Sequence, residues 1–85
     1  LKPMAHCDPL AALPLLAPGI YRHYKGLRYE VLGVARHSET LEPLVIYRAL
    51  YGEHGLWVRP WAMFVEVGEF GGRRQPRFER EAGQD

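Results

Sequence analysis

The chain has 85 residues, 47% of them hydrophobic and 25% charged, with a formal net charge of +1. That is one domain with enough apolar material for a core, which excludes global disorder. No apolar run approaches the ~18 residues of a membrane span, and +1 gives no general attraction to a polyanion. Cys7 is the single cysteine, so an intramolecular disulfide is excluded and a reducing, cytoplasmic setting is expected. No charged start followed by an apolar core marks a secretory signal.

The first 18 residues read as a lead-in. Asp8-Pro9 combines a helix cap with proline at the first helical position, and Leu10, Leu13 and Leu16 would line one side. Pro14 and Pro18 limit this segment to a short helix covering one end of the domain. From Gly19 the pattern becomes strand-like. Residues 20–24 precede the turn signal Lys25-Gly26, and residues 28–35 form a second strand, in which Gly33 marks a bulge or bend. Residues 37–43 are a polar loop. Residues 44–51 form a third strand, and Gly52-Glu53-His54-Gly55 is a hairpin connection into residues 56–59. Residues 60–63 suit a turn of 3₁₀ helix before a last strand at 64–69. Gly71-Gly72 closes the domain, and residues 73–85 read as a flexible charged tail, frayed apart from Phe78. The expected fold is all-β: a five-stranded SH3-like or Sm-like barrel over residues 19–72, with an OB-like barrel as the alternative.

Charge is unevenly spread. Residues 19–37 carry Arg22, Lys25, Arg28 and Arg36 against Glu30, whereas residues 38–56 carry Glu39, Glu42 and Glu53 against Arg48. The first of these stretches interleaves cations with Tyr21, Tyr24 and Tyr29, the combination that single-stranded nucleic acid requires. The same tyrosines are equally suited to packing a sheet. A second cluster, Trp57-Val58-Arg59-Pro60-Trp61, places Trp57 and Arg59 on one face, with Tyr47 available across from them. An arginine between indoles is either a stacked structural cation or an anion clamp.

His37-Ser38-Glu39 contains the residue types of a hydrolytic triad, but neighbouring side chains on an extended chain point to opposite faces and cannot relay a proton. Ser38, Thr40, Glu39 and Glu42 are equally the residues of a self-organised turn before Pro43. His6, Cys7, His23, His37 and His54 lack the paired spacing of a zinc site, so neither a metal nor any other cofactor is expected. The candidate ligand site comprises Tyr21, His23, Tyr24, His37, Glu39, Glu42, Tyr47, Trp57 and Arg59, converging from the strands onto the His37 loop.

Between residues 19 and 66 the chain resembles a bacterial family known as domain of unknown function 1653. The likeness rests on Gly19-Ile20-Tyr21-Arg22-His23-Tyr24-Lys25-Gly26, Tyr29-Glu30-Val31 and Ala35-Arg36-His37-Ser38-Glu39-Thr40-Leu41-Glu42. It continues through Val45-Ile46-Tyr47, Leu50-Tyr51, Trp57-Val58-Arg59-Pro60 and Met63-Phe64. The resemblance implies a small β-barrel and carries no activity. The reading favoured on these grounds is a non-catalytic module for nucleic acid or another nucleotide-like anion, with self-association through edge strands also open. An SH3-type adaptor for proline-rich peptide is the alternative, and a small-molecule enzyme using His37 or a carboxylate as base is the third.

Overall fold

The computed structural model describes residues 12–84. Seven strands and one helical turn follow in chain order: β1 (Gly19–His23), β2 (Arg28–Arg36), β3 (Pro43–Ala49), β4 (Leu56–Pro60), α1 (Trp61–Phe64), β5 (Val67–Phe70), β6 (Arg73–Pro76) and β7 (Phe78–Arg80). The all-β expectation holds. The closed five-stranded barrel does not: the strands form an antiparallel five-stranded sheet in the order β4-β3-β2-β1-β7 and a separate β5-β6 hairpin. Strand β4 is a sheet edge, because α1 turns the chain away before it can continue the ladder. Strand β7 takes the place beside β1, and its register sets His23 opposite Phe78 and Arg22 opposite Glu79.

Three local expectations change with this. A single α-helical turn stands where a 3₁₀ turn was expected. Residues 12–18 have no regular secondary structure, since Pro14 and Pro18 deny them a helical ladder; the helix start at Asp8-Pro9 lies outside the described residues. The expected charged tail supplies β6 and β7. Its charges are tied into the fold: Arg77 donates through Nε to the Met63 carbonyl at 3.0 Å and pairs with Glu66. The bend at Gly33 is present, because the β2–β3 register slips between Val31 and Gly33 and leaves Leu32 as the extra residue.

The core sits on one face of the five-stranded sheet. Tyr21, Val31, Val45 and Tyr47 point down from β1, β2 and β3 onto Phe64 of α1 and Phe78 of β7. Leu16 from the lead-in and Tyr29, Val34, Trp61 and Val65 pack around them. The two phenylalanine rings stack with centroids 4.0 Å apart and planes 5° from parallel. Tyr21 and Tyr47 meet Phe64 edge-on at 5.5 and 5.4 Å, and Tyr29 and Tyr47 meet Phe78 at 5.6 and 5.8 Å. Edge-to-face contact sets a ring's positive rim against its neighbour's negative face, adding about 0.5–1.5 kcal/mol per pair beyond area burial.

The start of β1 and the C-terminal end of the described chain are clamped together. Ile20 N–H donates to Gln84 Oε1 at 2.6 Å, and Gln84 Nε2 donates to the Ile20 carbonyl at 2.9 Å. Arg80 donates to the Pro18 carbonyl through Nε and Nη2 at 3.1 and 2.8 Å. Gly19, with φ of +126°, makes this approach feasible, because a Cβ there would lie 2.6 Å from Gln84 Oε1 and 3.0 Å from Arg80 Nη2.

Phe78 is 5% exposed and contacts rings from α1, β1, β2 and β3. Phe78→Ala is expected to destabilise the domain by about 3–5 kcal/mol, a large share of a small domain's stability. A lower urea midpoint relative to the parent chain is the measurement that checks it.

Candidate functional site

The structure divides the nine candidate residues into separate places. Tyr21 and Tyr47 are core residues. Tyr21 donates its hydroxyl to the Ala17 carbonyl at 2.7 Å, and burial raises its pKa, against a smaller opposing pull from Arg80, so it stays a neutral phenol. Arg59 stands beside the same core: its Nε donates to Tyr47 Oη at 3.2 Å, and its guanidinium lies 5.5 Å from the Phe78 ring centroid. It is thus a stacked structural cation, with Phe78 supplying the ring. Trp57 is opposite Tyr47 in the β3–β4 register but is 59% exposed at the sheet edge. The expected convergence of Tyr21, His23, Tyr47 and Arg59 occurs inside the domain, and Phe64 and Phe78 fill it.

The His37 loop lies elsewhere. His37 follows the last residue of β2, whereas His23 and Tyr24 flank the turn before its first residue. The nine residues of β2 separate the two ends, roughly 25 Å over eight steps of about 3.3 Å. The loop is organised by its own groups. His37 Nδ1 accepts from the Glu39 and Thr40 amides at 3.0 and 3.2 Å, and Thr40 Oγ1 donates to Glu42 Oε1 at 3.2 Å. Backbone bonds between His37 and Glu42 and between Leu41 and His37 close it. His37, Glu39 and Glu42 therefore have a structural account, a turn in which the imidazole serves as acceptor.

A surface groove of about 630 Å³ opens between β1, β6 and the end of β7. Arg22, Arg73 and Arg80 line it with Glu79 and Glu81, and His23 and Tyr24 form part of its wall. Arg28 holds Glu81 through two hydrogen bonds of 2.8 Å, and Arg22 approaches the same carboxylate at 3.8 Å. The hydrogen bonds from Arg28 lead in keeping the Glu81 carboxyl below its ordinary pKa, so it remains ionised. Beside the groove, Tyr24 stacks on Phe70 at 5.0 Å, while Lys25 and Arg77 approach the outer faces of that pair at 6.0 and 4.5 Å from the ring centroids. This stack joins the β1–β2 turn to the β5–β6 hairpin. The residues missed at the sequence level, Arg73, Gln75, Arg80 and Glu81, all come from the segment read as a tail. The signal available was Phe78, an aromatic residue flanked on both sides by charges at strand-like spacing.

His23 connects core and groove. Its ring meets Phe78 edge-on at 4.9 Å and Tyr24 at 4.4 Å, and its Nδ1 accepts from the Lys25 amide at 3.1 Å. Burial, reinforced by the positive charges of Arg59, Lys25 and Arg77, pushes its pKa below 6.5. Among the described residues, no three His, Cys, Asp or Glu side chains group so as to hold a metal ion; His6 and Cys7 lie outside them. Nor is any described helix long and apolar enough to cross a membrane.

The lowered His23 pKa has a definite consequence for stability. Above pH 6.5 the imidazole is neutral in both folded and unfolded chains. Below it, the unfolded chain takes up a proton that the folded one resists, so stability falls as pH falls through that range. His23→Gln is expected to remove this component. Urea unfolding of both chains on either side of pH 6.5 should show a smaller loss of midpoint in the variant.

No curated protein matches the chain. A crystal structure of a family protein from Bordetella bronchiseptica is similar: it is 39% identical, with a TM-score of 0.72, and the match covers 82% of this chain and 92% of that one. The profile described as protein of unknown function (DUF1653) matches residues 19–80, which brings β6 and β7 within the family's domain. The chain belongs to the bacterial DUF1653 family.

Proposed function

We propose that the domain is a non-catalytic binding module whose groove between β1, β6 and β7 takes an anionic, phosphate-bearing ligand, with single-stranded nucleic acid as the first class. The observation that carries this reading is the concentration of arginines there. Arg22, Arg73 and Arg80 line the groove and Arg28 borders it through Glu81, four cations against Glu79 and Glu81. Four of the chain's eleven lysines and arginines thus stand at one corner.

The aromatic residues narrow the mode of recognition. Tyr21, Tyr29 and Tyr47 are occupied in the packed cluster, and Tyr24 already lies against Phe70 and His23. Base stacking therefore has little free ring surface at the groove, and the contacts on offer are to phosphate. Such contacts position a strand without reading its sequence. Binding rather than catalysis is favoured because no Ser, Thr or Cys lines the groove. In addition, His23 and His37 each commit Nδ1 to turn amides.

Fluorescence anisotropy with labelled single-stranded RNA and DNA, titrated against salt, tests the reading. Binding that weakens steeply with salt is expected. Arg73→Ala and Arg22→Ala should each lower affinity and flatten the log K against log salt slope by about 0.7 for a lost contact to a single strand. Absence of binding at low salt, or affinity unchanged in both variants, overturns it.

A further inference from the structure

Strand β4 is the one edge of the five-stranded sheet whose side chains are apolar on both faces. Leu56, Trp57 and Val58 are 56%, 59% and 59% exposed, and Arg59, the strand's charged residue, is turned inward onto Tyr47 and Phe78. Exposed edges invite pairing unless charge, proline or a bulge blunts them. Here Pro60 stands only at the far end, where it leads into α1.

The backbone groups available on this edge follow from the register. Ala49 N–H donates to the Gly55 carbonyl at 3.0 Å, and pairs alternate along an antiparallel ladder, so Tyr47–Trp57 and Val45–Arg59 are the hydrogen-bonded pairs. Leu56 and Val58 therefore direct their N–H and C=O groups away from β3. Pro60 adds no donor, and as the cap of α1 it commits its carbonyl to the helix.

We propose that β4 pairs antiparallel with β4 of a second copy of this chain, across a two-fold axis at Trp57. This register alone uses all four outward groups: Leu56 exchanges both backbone bonds with Val58 of the other copy, and Val58 with its Leu56. It sets the two Trp57 indoles opposite each other as a non-hydrogen-bonded pair, where facing side chains are closest. On the other face of the sheet, each exposed Leu56 covers an exposed Val58. Arg59 falls opposite Gly55 of the second copy, so like charges do not oppose. A register centred one residue later would set Leu56 against Pro60, which has neither donor nor spare carbonyl. The edge is thus self-complementary, as an isologous interface requires. The inference does not depend on the groove, which lies at the opposite edge of the sheet beside β7.

Sedimentation of the full chain over a wide concentration range tests this, with two variants at exposed positions. Trp57→Lys places two ammonium groups against each other at the axis. Val58→Pro removes the central outward donor while sparing the β3–β4 ladder, as proline on an edge strand does when its nitrogen faces solvent. The parent chain is expected to reach twice the single-chain mass, and each variant with unchanged far-UV circular dichroism should raise the dissociation constant at least tenfold. Should one variant unfold, the other decides. A parent chain of single mass throughout overturns the proposal, as does a dimer that persists in a folded variant.

Discussion

The Phe64–Phe78 stack is the contact on which the rest of the domain depends. The five-stranded sheet presents tyrosines and valines on one face, and that face needs a cover. Two rings, one from the helical turn after β4 and one from the last strand, meet at its centre and provide it. Because Phe64 and Phe78 are brought together from opposite ends of the β5–β6 excursion, the stack also fixes where that hairpin leaves and re-enters the fold. The bent β2, with its extra Leu32, lets the sheet curve around them without closing.

The same strand that anchors the core also builds the groove. In β7, Phe78 points into the tyrosine cluster, while Glu79 and Arg80 line the groove beside Arg22. The groove's charge is therefore held at a defined place by an apolar contact, and its arginines are borne on sheet rather than on free loops. His23 is set between the two. Its depressed pKa arises first from burial, with Phe78 against its ring, and then from the nearby positive charges of Arg59, Lys25 and Arg77.

Much of the fold was legible in the sequence, and the reason is local. Strands β1 to β4 are bounded by Lys25-Gly26, by the polar loop at 37–42 and by Gly52-Glu53-His54-Gly55, and their alternation needs no distant partner to be read. The last third was not legible on the same grounds. Residues 73–80 contain four arginines and one glutamate, a composition that resembles a solvated end. What makes them strands is nonlocal: Arg77 reaches Met63 and Glu66, Arg80 reaches Pro18, and Phe78 reaches the core. Of the interleaved aromatic and basic residues at 21–29, Arg22, His23 and Tyr24 line the groove, but their division of labour was not legible. Tyr21 and Tyr29 went to the core, Tyr24 to the groove wall against Phe70, the cations to the surface, and the His37 loop to the far end of β2. Adjacency in sequence gave no sign that Arg22 would find its neighbours in Arg73 and Arg80.

The clamp of Gln84 on Ile20 and of Arg80 on Pro18 closes the domain at a single corner, where chain enters and leaves side by side. A unit built this way can be set into a surface loop of another protein without stretching either connection, since its two attachment points need no bridge between them.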